Sequence, residues 1–193
     1  MNTEQQKWDQ IYTDKTPGLP QAAEVLVQNR HLLPAKGVAL DLACGLGGNS
    51  LLLAQSGLDV LSWDVSPVAI AKLQQLASQQ VLKIRTEVRD VIRFPPDKQS
   101  VNVLLVSHFL VRDIAADLAA ALKPGGLLFY QTFCQDKVSE VGPKNPDYLL
   151  ADNELLRMFA GLKVRVYREE SLLGQRDSGW RNQAMLVAEK PMA

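Results

Sequence analysis

Cysteine is scarce in this chain: only Cys44 and Cys134 occur among 193 residues, far apart and in no C-x-x-C pair. That spacing gives no disulfide framework and reads as the reduced thiols of an intracellular protein. Excess charge is absent too, since Lys+Arg and Asp+Glu both total 21 and no long basic block occurs. Binding to long RNA or DNA through bulk charge therefore gains no support. Nor does any apolar run reach the roughly 18 residues of a membrane span. The opening MNTEQQKWDQIY has acidic and amide residues where a signal peptide needs a basic and then an apolar stretch. These absences lead us to expect a soluble, cytoplasmic protein, with no membrane and no DNA as partner. Its length suits one domain, 1–193, able to bury a core without disulfides or a structural metal.

What the sequence does contain is a regular alternation. Residues 19–32 carry apolar positions on one helical face, closed by Pro34. VALDLAC (38–44) reads as a strand and 49–56 as a short helix ended by Gly57. DVLSWD (59–64) is a second strand, and helix 67–79 starts with Ser66 as cap and Pro67 in its first turn. VLKIRTEV (81–88) and the nearly all-apolar VNVLLVS (101–107) follow, separated by the loop RDVIRFPPDKQS. An alanine-rich helix over 112–126 leads to strand LLFYQTF (127–133), and a polar loop runs from 134 to 150. Helix 152–161 and strands near 163–169 and 184–189 complete the chain. Strands alternating with helices predict an α/β fold of the Rossmann-like three-layer type, with a mostly parallel seven-stranded sheet. The last two strands lack an intervening helix, so they predict an antiparallel C-terminal hairpin at the edge region of that sheet. Three parts are expected within the domain: an N-terminal helical lid (1–35), a cofactor-binding core (36–133) and a C-terminal part with acceptor-side loops (134–193).

Gly45, Gly47 and Gly48 follow the first strand, where glycines let a backbone approach a ligand and supply amide donors. The dinucleotide fingerprint G-x-G-x-x-G/A is incomplete, because Ser50 stands where its third small apolar residue belongs. Asp64 lies at the end of the second strand, at about the 20-residue spacing from the turn that suits an acid on ribose hydroxyls. An NAD site and an adenosine site both fit Asp64. Asp41, beside the glycine turn, separates them: its carboxylate would repel a pyrophosphate and attract the ammonium of an amino-acid-bearing nucleoside.

With those residues in view, the chain resembles the class I S-adenosylmethionine-dependent methyltransferases. Asp41-Leu42-Ala43-Cys44-Gly45-Leu46-Gly47 is similar to the family's first motif and Asp64-Val65-Ser66-Pro67-Val68-Ala69-Ile70 to its second. Arg89-Asp90-Val91 resembles the adenine-contacting motif, Val106-Ser107-His108-Phe109-Leu110 stands at the fourth-strand motif, and Leu122-Lys123-Pro124-Gly125-Gly126 is similar to the turn before the fifth strand. The resemblance implies S-adenosylmethionine as methyl donor and S-adenosylhomocysteine as product. It assigns cofactor contacts to Asp41, Ala43, Gly45, Gly47, Asn49, Asp64, Val65, Asp90, Val91 and Ser107. Asp41 and Gly45 would hold the methionine part, Asp64 the ribose, Asp90 and the Val91 N–H the adenine, with Val65 on its face. Trp63 is left between core packing and cofactor contact.

The acceptor is less marked. Ser107-His108-Phe109-Leu110 lacks the Asn/Asp-Pro-Pro-aromatic signature of many N-methyltransferases, which counts against nucleobase or glutamine amino groups. His108 is the catalytic candidate there, to position or deprotonate an acceptor; a packing or helix-start histidine is the competing reading, and His31 reads as structural. Trp8-Asp9-Gln10-Ile11-Tyr12 followed by Pro17 resembles the lid of the tellurite-resistance and thiopurine-methyltransferase-like small-molecule group, which implies Tyr12 over the cofactor and Trp8 on the acceptor side. An amphipathic helix packed on the sheet is the alternative. The tail 176-RDSGWRNQAMLVAEK-190 resembles the end of the same group and nominates Arg181 as a second catalytic residue, with a surface hairpin arginine as the alternative. The function expected is methyl transfer to a small molecule such as a thiol or a metalloid oxyanion, by a monomer or homodimer without a metal. RNA or protein methylation, and a noncatalytic cofactor-binding partner subunit, are the alternatives; an NAD-dependent dehydrogenase is disfavoured by Ser50 and Asp41.

Overall fold

The structure is a computed structural model and describes residues 3–14 and 18–192. Seven strands form one sheet: β1 (Val38–Leu42), β2 (Asp59–Asp64), β3 (Ile84–Val88), β4 (Val101–Ser107), β5 (Leu122–Phe133), β6 (Lys163–Arg168) and β7 (Gln183–Glu189). The helices are α1 (Thr3–Asp14), α2 (Glu24–Gln28), α3 (Gly48–Gln55), α4 (Pro67–Gln79), α5 (Ala115–Ala121) and α6 (Glu154–Met158). The sheet runs β3-β2-β1-β4-β5-β7-β6. β1 to β5 pair in parallel, while β7 lies antiparallel between β5 and β6. This is the Rossmann-like sandwich with the antiparallel C-terminal hairpin that the sequence predicts.

Strand periodicity divides the core in two. Leu40, Leu42, Leu104, Val106, Leu128, Tyr130 and Leu186 pack with Leu118 of α5 and Leu155 of α6. Their neighbours Ala39, Val103, Leu105, Phe129 and Val187 point the other way, against Val25 and Leu26 of α2 and Leu53 of α3. Successive residues on a strand face opposite sides, so β4 is apolar on both: Val103 to Val106 have no exposed surface. Each such side chain contributes roughly 1.5–3 kcal/mol of burial.

Several elements coincide with the sequence reading. β2, α4 and β4 have the expected limits, and the Ser66 hydroxyl accepts the Ala69 N–H as the cap of α4. Others differ in extent. The helix expected over 19–32 is reduced to α2 followed by a 3-10 turn, Arg30–Leu32, because the Ala23 N–H is drawn to the side chain of Asn49. The alanine-rich helix expected over 112–126 becomes a 3-10 turn, Arg112–Ile114, and then α5, which stops at Ala121. Leu122 turns to extended geometry, and Lys123-Pro124-Gly125-Gly126 enters β5 through a register shift against β4. The end of β7 holds it there: Gly125 N–H donates to Lys190 O, and Lys190 N–H to Gly126 O. β3 starts at Ile84 rather than at residue 81, and the helix expected over 152–161 is confined to Glu154–Met158.

The strand order reverses between β1 and β4, which run side by side from a common origin. In an open α/β sheet the crevice beyond the C-terminal ends of two such strands is where ligands bind. There β1 delivers the glycine turn and β4 delivers Ser107 and His108.

Candidate active site at the switch point of the sheet

After Leu42 the backbone leaves the sheet through Ala43, which has φ +55° although it is not a glycine. Gly45 (φ +53°) and Gly47 (φ +84°) continue the turn. At Gly47 a side chain is excluded twice over, by the left-handed backbone and by Leu73, whose Cδ1 lies 2.2 Å from where a Cβ would stand. The Gly47 N–H closes the turn onto Cys44 O at 2.9 Å, and α3 starts at the next residue. Gly48 has a different reason: its Cβ would fall 2.2 Å from the Gln21 carbonyl oxygen, so residues 21–23 lie directly on the start of α3.

Two buried carboxylates flank this turn. Asp41, on β1, has no exposed surface; Ser50 Oγ donates to it at 2.5 Å and Asn49 Nδ2 at 3.5 Å, while Ser62 Oγ donates to Ser50 Oγ at 2.7 Å. Burial pushes the Asp41 carboxyl up to about 7, against the lowering effect of these hydrogen bonds, and nearby Asp64 adds repulsion. Asp64, at the end of β2, accepts the Gly45 N–H at 2.8 Å and the Ser66 N–H at 2.9 Å. Its carboxyl is also raised, chiefly by burial and further by Asp9. Among the described residues no group of His, Cys, Asp and Glu is placed to hold a metal ion.

Helix α1 covers the turn from outside. Tyr12 is buried, and a Cβ on Gly45 would lie 2.9 Å from its hydroxyl oxygen. Burial, then Asp64, Cys44 and Asp41, raise the Tyr12 hydroxyl above its ordinary range, so it stays protonated. Trp8 stacks on Tyr12 with 5.7 Å between ring centroids. The helix is fastened to α4 at two points: Lys72 Nζ donates to Tyr12 O at 2.5 Å, and the Ser66 hydroxyl donates to the Asp9 carboxylate. Pro17 lies outside the described residues.

The remaining expected contacts are spread over neighbouring loops. Ser107 Oγ accepts from Asn49 Nδ2 at 2.9 Å, which joins the end of β4 to the glycine turn. Val65 is partly exposed beside Asp64. Asp90 Oδ1 accepts the N–H groups of Ile92 and Arg93, and its other oxygen faces Arg93 Nε at 3.5 Å. A cavity of about 370 Å³ opens beside it, lined by Glu87, Val88, Arg89 and Phe94. The Val91 side chain is core, packed with Trp63. Trp63 itself is buried, and the Arg89 guanidinium lies 3.9 Å from its ring centroid. His31 is exposed and lines a separate cavity of about 620 Å³ that includes Asn102 and Pro124.

His108 follows β4 with φ +55°, and its ring packs at 5.1 Å from that of Phe133. Its Nε2 stands 3.1 Å from Gln183 Oε1. Arg181 is occupied differently: Nε donates to Ser178 O at 2.7 Å, Nη1 to Glu170 O and Ser171 O, and Nη2 to Gln175 O at 2.5 Å. Four backbone carbonyls thus hold its guanidinium inside the 170–180 loop, and it is not brought to His108 by any of these contacts.

Several participants escaped the sequence reading, namely Asp9, Ser62, Lys72, Gln131 and Gln183, as did the hydrogen bond of Ser50 to Asp41. The available signal was a glutamine in each of the mostly apolar strands LLFYQTF and QAMLVAE. A buried amide needs partners, and those partners come from distant segments.

A glycine turn between two buried acids at a switch point, capped by an aromatic helix, suits a cationic nucleoside better than a pyrophosphate. The fold, the site and the order of the motifs are those of the class I S-adenosylmethionine-dependent methyltransferases, which the chain resembles throughout its core. Residues 39–126 match the model of the methyltransferase domain. The chain is 30% identical over 131 residues to the putative methyltransferase YqeM of Bacillus subtilis, covering 63% of this chain and 51% of that protein. It is 44% identical over 52 residues to the probable S-adenosyl-L-methionine-dependent methyltransferase TehB of Haemophilus influenzae, 27% of this chain and 18% of that one. The chain spans about half, or less, of the length of these curated relatives. The crystal structure of TehB from Haemophilus influenzae superposes with a TM-score of 0.71 at 23% identity, covering 95% of this chain and 67% of that one. At that identity the likeness is one of fold.

Proposed function

We propose that this protein transfers a methyl group from S-adenosylmethionine to a small-molecule acceptor. The observation that carries the reading is the pair Asp41 and Asp64, two buried acids beside one glycine turn with raised carboxyls and, among the described residues, no ion pair to a cation. Such a pair is costly by itself and suits a ligand bearing positive charge. S-adenosylmethionine supplies that charge, together with an activated methyl group on its sulfonium. Asp41 would face the ammonium, and the backbone of Gly45 and Gly47 would lie along the methionine part. Asp64 has lone pairs left beyond its two backbone bonds and would accept from the ribose hydroxyls. Asp90 and Val91 would meet the adenine, and Ala43, Asn49, Val65 and Ser107 would shape the remaining wall. Tyr12 and Trp8 exclude water from above, which favours displacement at a carbon held in line.

His108, beyond Ser107 at the end of β4, is the acceptor-side residue of this reading. Arg181 enters as the organiser of the neighbouring loop. Among the described residues no helix is long and apolar enough to cross a membrane, which supports a soluble enzyme, and we infer cytoplasmic placement and action as a monomer or homodimer on free metabolites rather than on DNA. The resemblance of the Trp8–Tyr12 segment and of the 176–190 tail to the tellurite-resistance and thiopurine-methyltransferase-like group makes a thiol or a metalloid oxyanion the acceptor classes to examine first.

The test is an acceptor screen with methyl-labelled S-adenosylmethionine, offering small thiols, amines, selenite and tellurite. Turnover on at least one small acceptor by the isolated chain is the expected result. Label appearing only in RNA or protein of a cell extract would contradict it.

A further inference from the structure

One ammonium group touches both sides of the crevice. Lys7 Nζ lies 5.6 Å from the ring centroid of Trp8, on α1, and 5.6 Å from that of Tyr148. α1 covers the turn that leaves β1, with Tyr12 against Gly45. Tyr148 belongs to a segment tied to the chain that leaves β4: Arg112 Nη1 donates to Asp147 O at 2.6 Å and Nη2 to Leu149 O at 2.9 Å. Trp8 is braced in turn by its stacking on Tyr12. Lys7 is held more loosely. Its side chain is 49% exposed, and its ion pair with Glu4, at 3.6 Å, is exposed as well, a kind of contact that contributes little. Two anchored ring faces therefore hold a cation that sits on a flexible stem.

The neighbouring cations that could receive a negatively charged acceptor are already committed. Arg181 donates to four carbonyls, and Arg112 pairs with Glu154 besides its two carbonyls. Lys72 Nζ donates to Tyr12 O. Beyond β5 the local charge is negative: burial, then Glu169, Asp152 and Asp136, push the Cys134 thiol up.

We propose that Trp8 and Tyr148 form a cation subsite at the mouth of the active site, which Lys7 fills and the ammonium group of a methyl acceptor takes over. The proposal rests on the reading of the protein as a small-molecule methyltransferase and narrows its acceptor. The class that fits is a thiol or amine with a positively charged tail, in preference to an oxyanion. The tail lodges against the two rings, and the nucleophilic end reaches into the crevice toward the methyl group. Lys7 is then a competitor of the substrate, so its removal strengthens binding where loss of a supporting residue would weaken it.

The experiment is a titration of the 15N-labelled chain with tetramethylammonium chloride, with sodium chloride at equal ionic strength as control, read on the indole N–H signals. The chain has three tryptophans, and a Trp8→Phe variant assigns the one concerned. The Trp8 signal should shift to saturation, and Lys7→Met should lower the midpoint about threefold or more, the worth of one exposed cation–π contact. Adding Tyr148→Leu to Lys7→Met should raise the midpoint again, whereas Tyr148→Phe, which keeps the ring face, should not. A midpoint unchanged or raised by Lys7→Met, or one indifferent to Tyr148→Leu, overturns the proposal. In turnover, kcat/KM should fall in the order 2-aminoethanethiol, 2-mercaptoethanol, thioglycolate, with the preference reduced in Tyr148→Leu. The reverse order overturns the acceptor class. Saturable tetramethylammonium binding without turnover of any of the three thiols or of an amine would instead remove the methyl-transfer reading while the subsite stood, so the two failures are distinguishable.

Discussion

Asp64 Oδ2 accepts the Gly45 backbone N–H at 2.8 Å, tying the end of β2 to the turn that leaves β1. Its other oxygen takes the Ser66 N–H at 2.9 Å, so one carboxylate organises the glycine turn and the start of α4 together. Asp64→Ala should weaken binding of S-adenosylhomocysteine by about tenfold or more, equivalent to about 1.4 kcal/mol. Asp64→Asn keeps one oxygen acceptor and should lose less. Calorimetric titration of both variants decides; an unchanged affinity in Asp64→Ala contradicts the role.

Asp41 gives the protein a pH dependence with a definite sign. Its carboxyl moves from 3.8 to about 7 on folding, so the folded chain keeps a proton that the unfolded chain has released. The stability this provides is complete below about pH 4 and is lost as pH rises through about 7, on the order of 2–4 kcal/mol. Asp64, shifted upward as well, acts in the same direction. Urea melts of the ligand-free protein between about pH 5 and about pH 8 should show declining stability that Asp41→Asn flattens. A wild-type profile that rises over this range excludes the buried proton.

Gly48→Ala is expected to be far more harmful than its size suggests. The new Cβ would meet the Gln21 carbonyl oxygen at 2.2 Å, and a backbone atom cannot yield as a side chain does. The segment that carries the Ala23 bond to Asn49 would lift from α3, at a cost of about 2 kcal/mol or more. Gly161→Ala, where nothing lies within 4 Å, is the control. Thermal melts of the two variants compare them directly, and equal midpoints would refute the packing argument.

Removal of the Arg181 guanidinium should loosen a loop rather than the cofactor site. Four carbonyls of residues 170–178 lose their donors in Arg181→Ala, with an expected loss of about 1–2 kcal/mol. Limited proteolysis should then cut between residues 170 and 180, with S-adenosylhomocysteine affinity within about twofold of wild type. An intact loop combined with collapsed turnover would return Arg181 to the acceptor site.

The parts of the fold legible in the sequence were those set by local pattern. β2, α4 and β4 announce themselves by a capped start at Ser66-Pro67 and by the apolar run of VNVLLVS, and their limits agree with the structure. The errors share one physical cause, a distant partner. Alanine content argues for helix up to Gly126, but Lys190, far along the chain, captures Gly125 and Gly126 into the sheet. Residues 19–23 have helical spacing, yet Asn49 and the open face of Gly48 hold them outside any helix. At the site, Asp41, Asp64 and the glycines were visible because the motif is continuous. Gln131 and Gln183 were not: they meet across 52 positions of sequence, through the pairing of β5 with β7.

The central claim, a site built for a cationic adenosine rather than a dinucleotide, is tested most directly by isothermal titration of the full chain with S-adenosylhomocysteine and, separately, NADH. The account predicts saturable binding of S-adenosylhomocysteine that is weakened about tenfold or more in Asp64→Ala, with little or no heat from NADH. Tighter binding of NADH would contradict it.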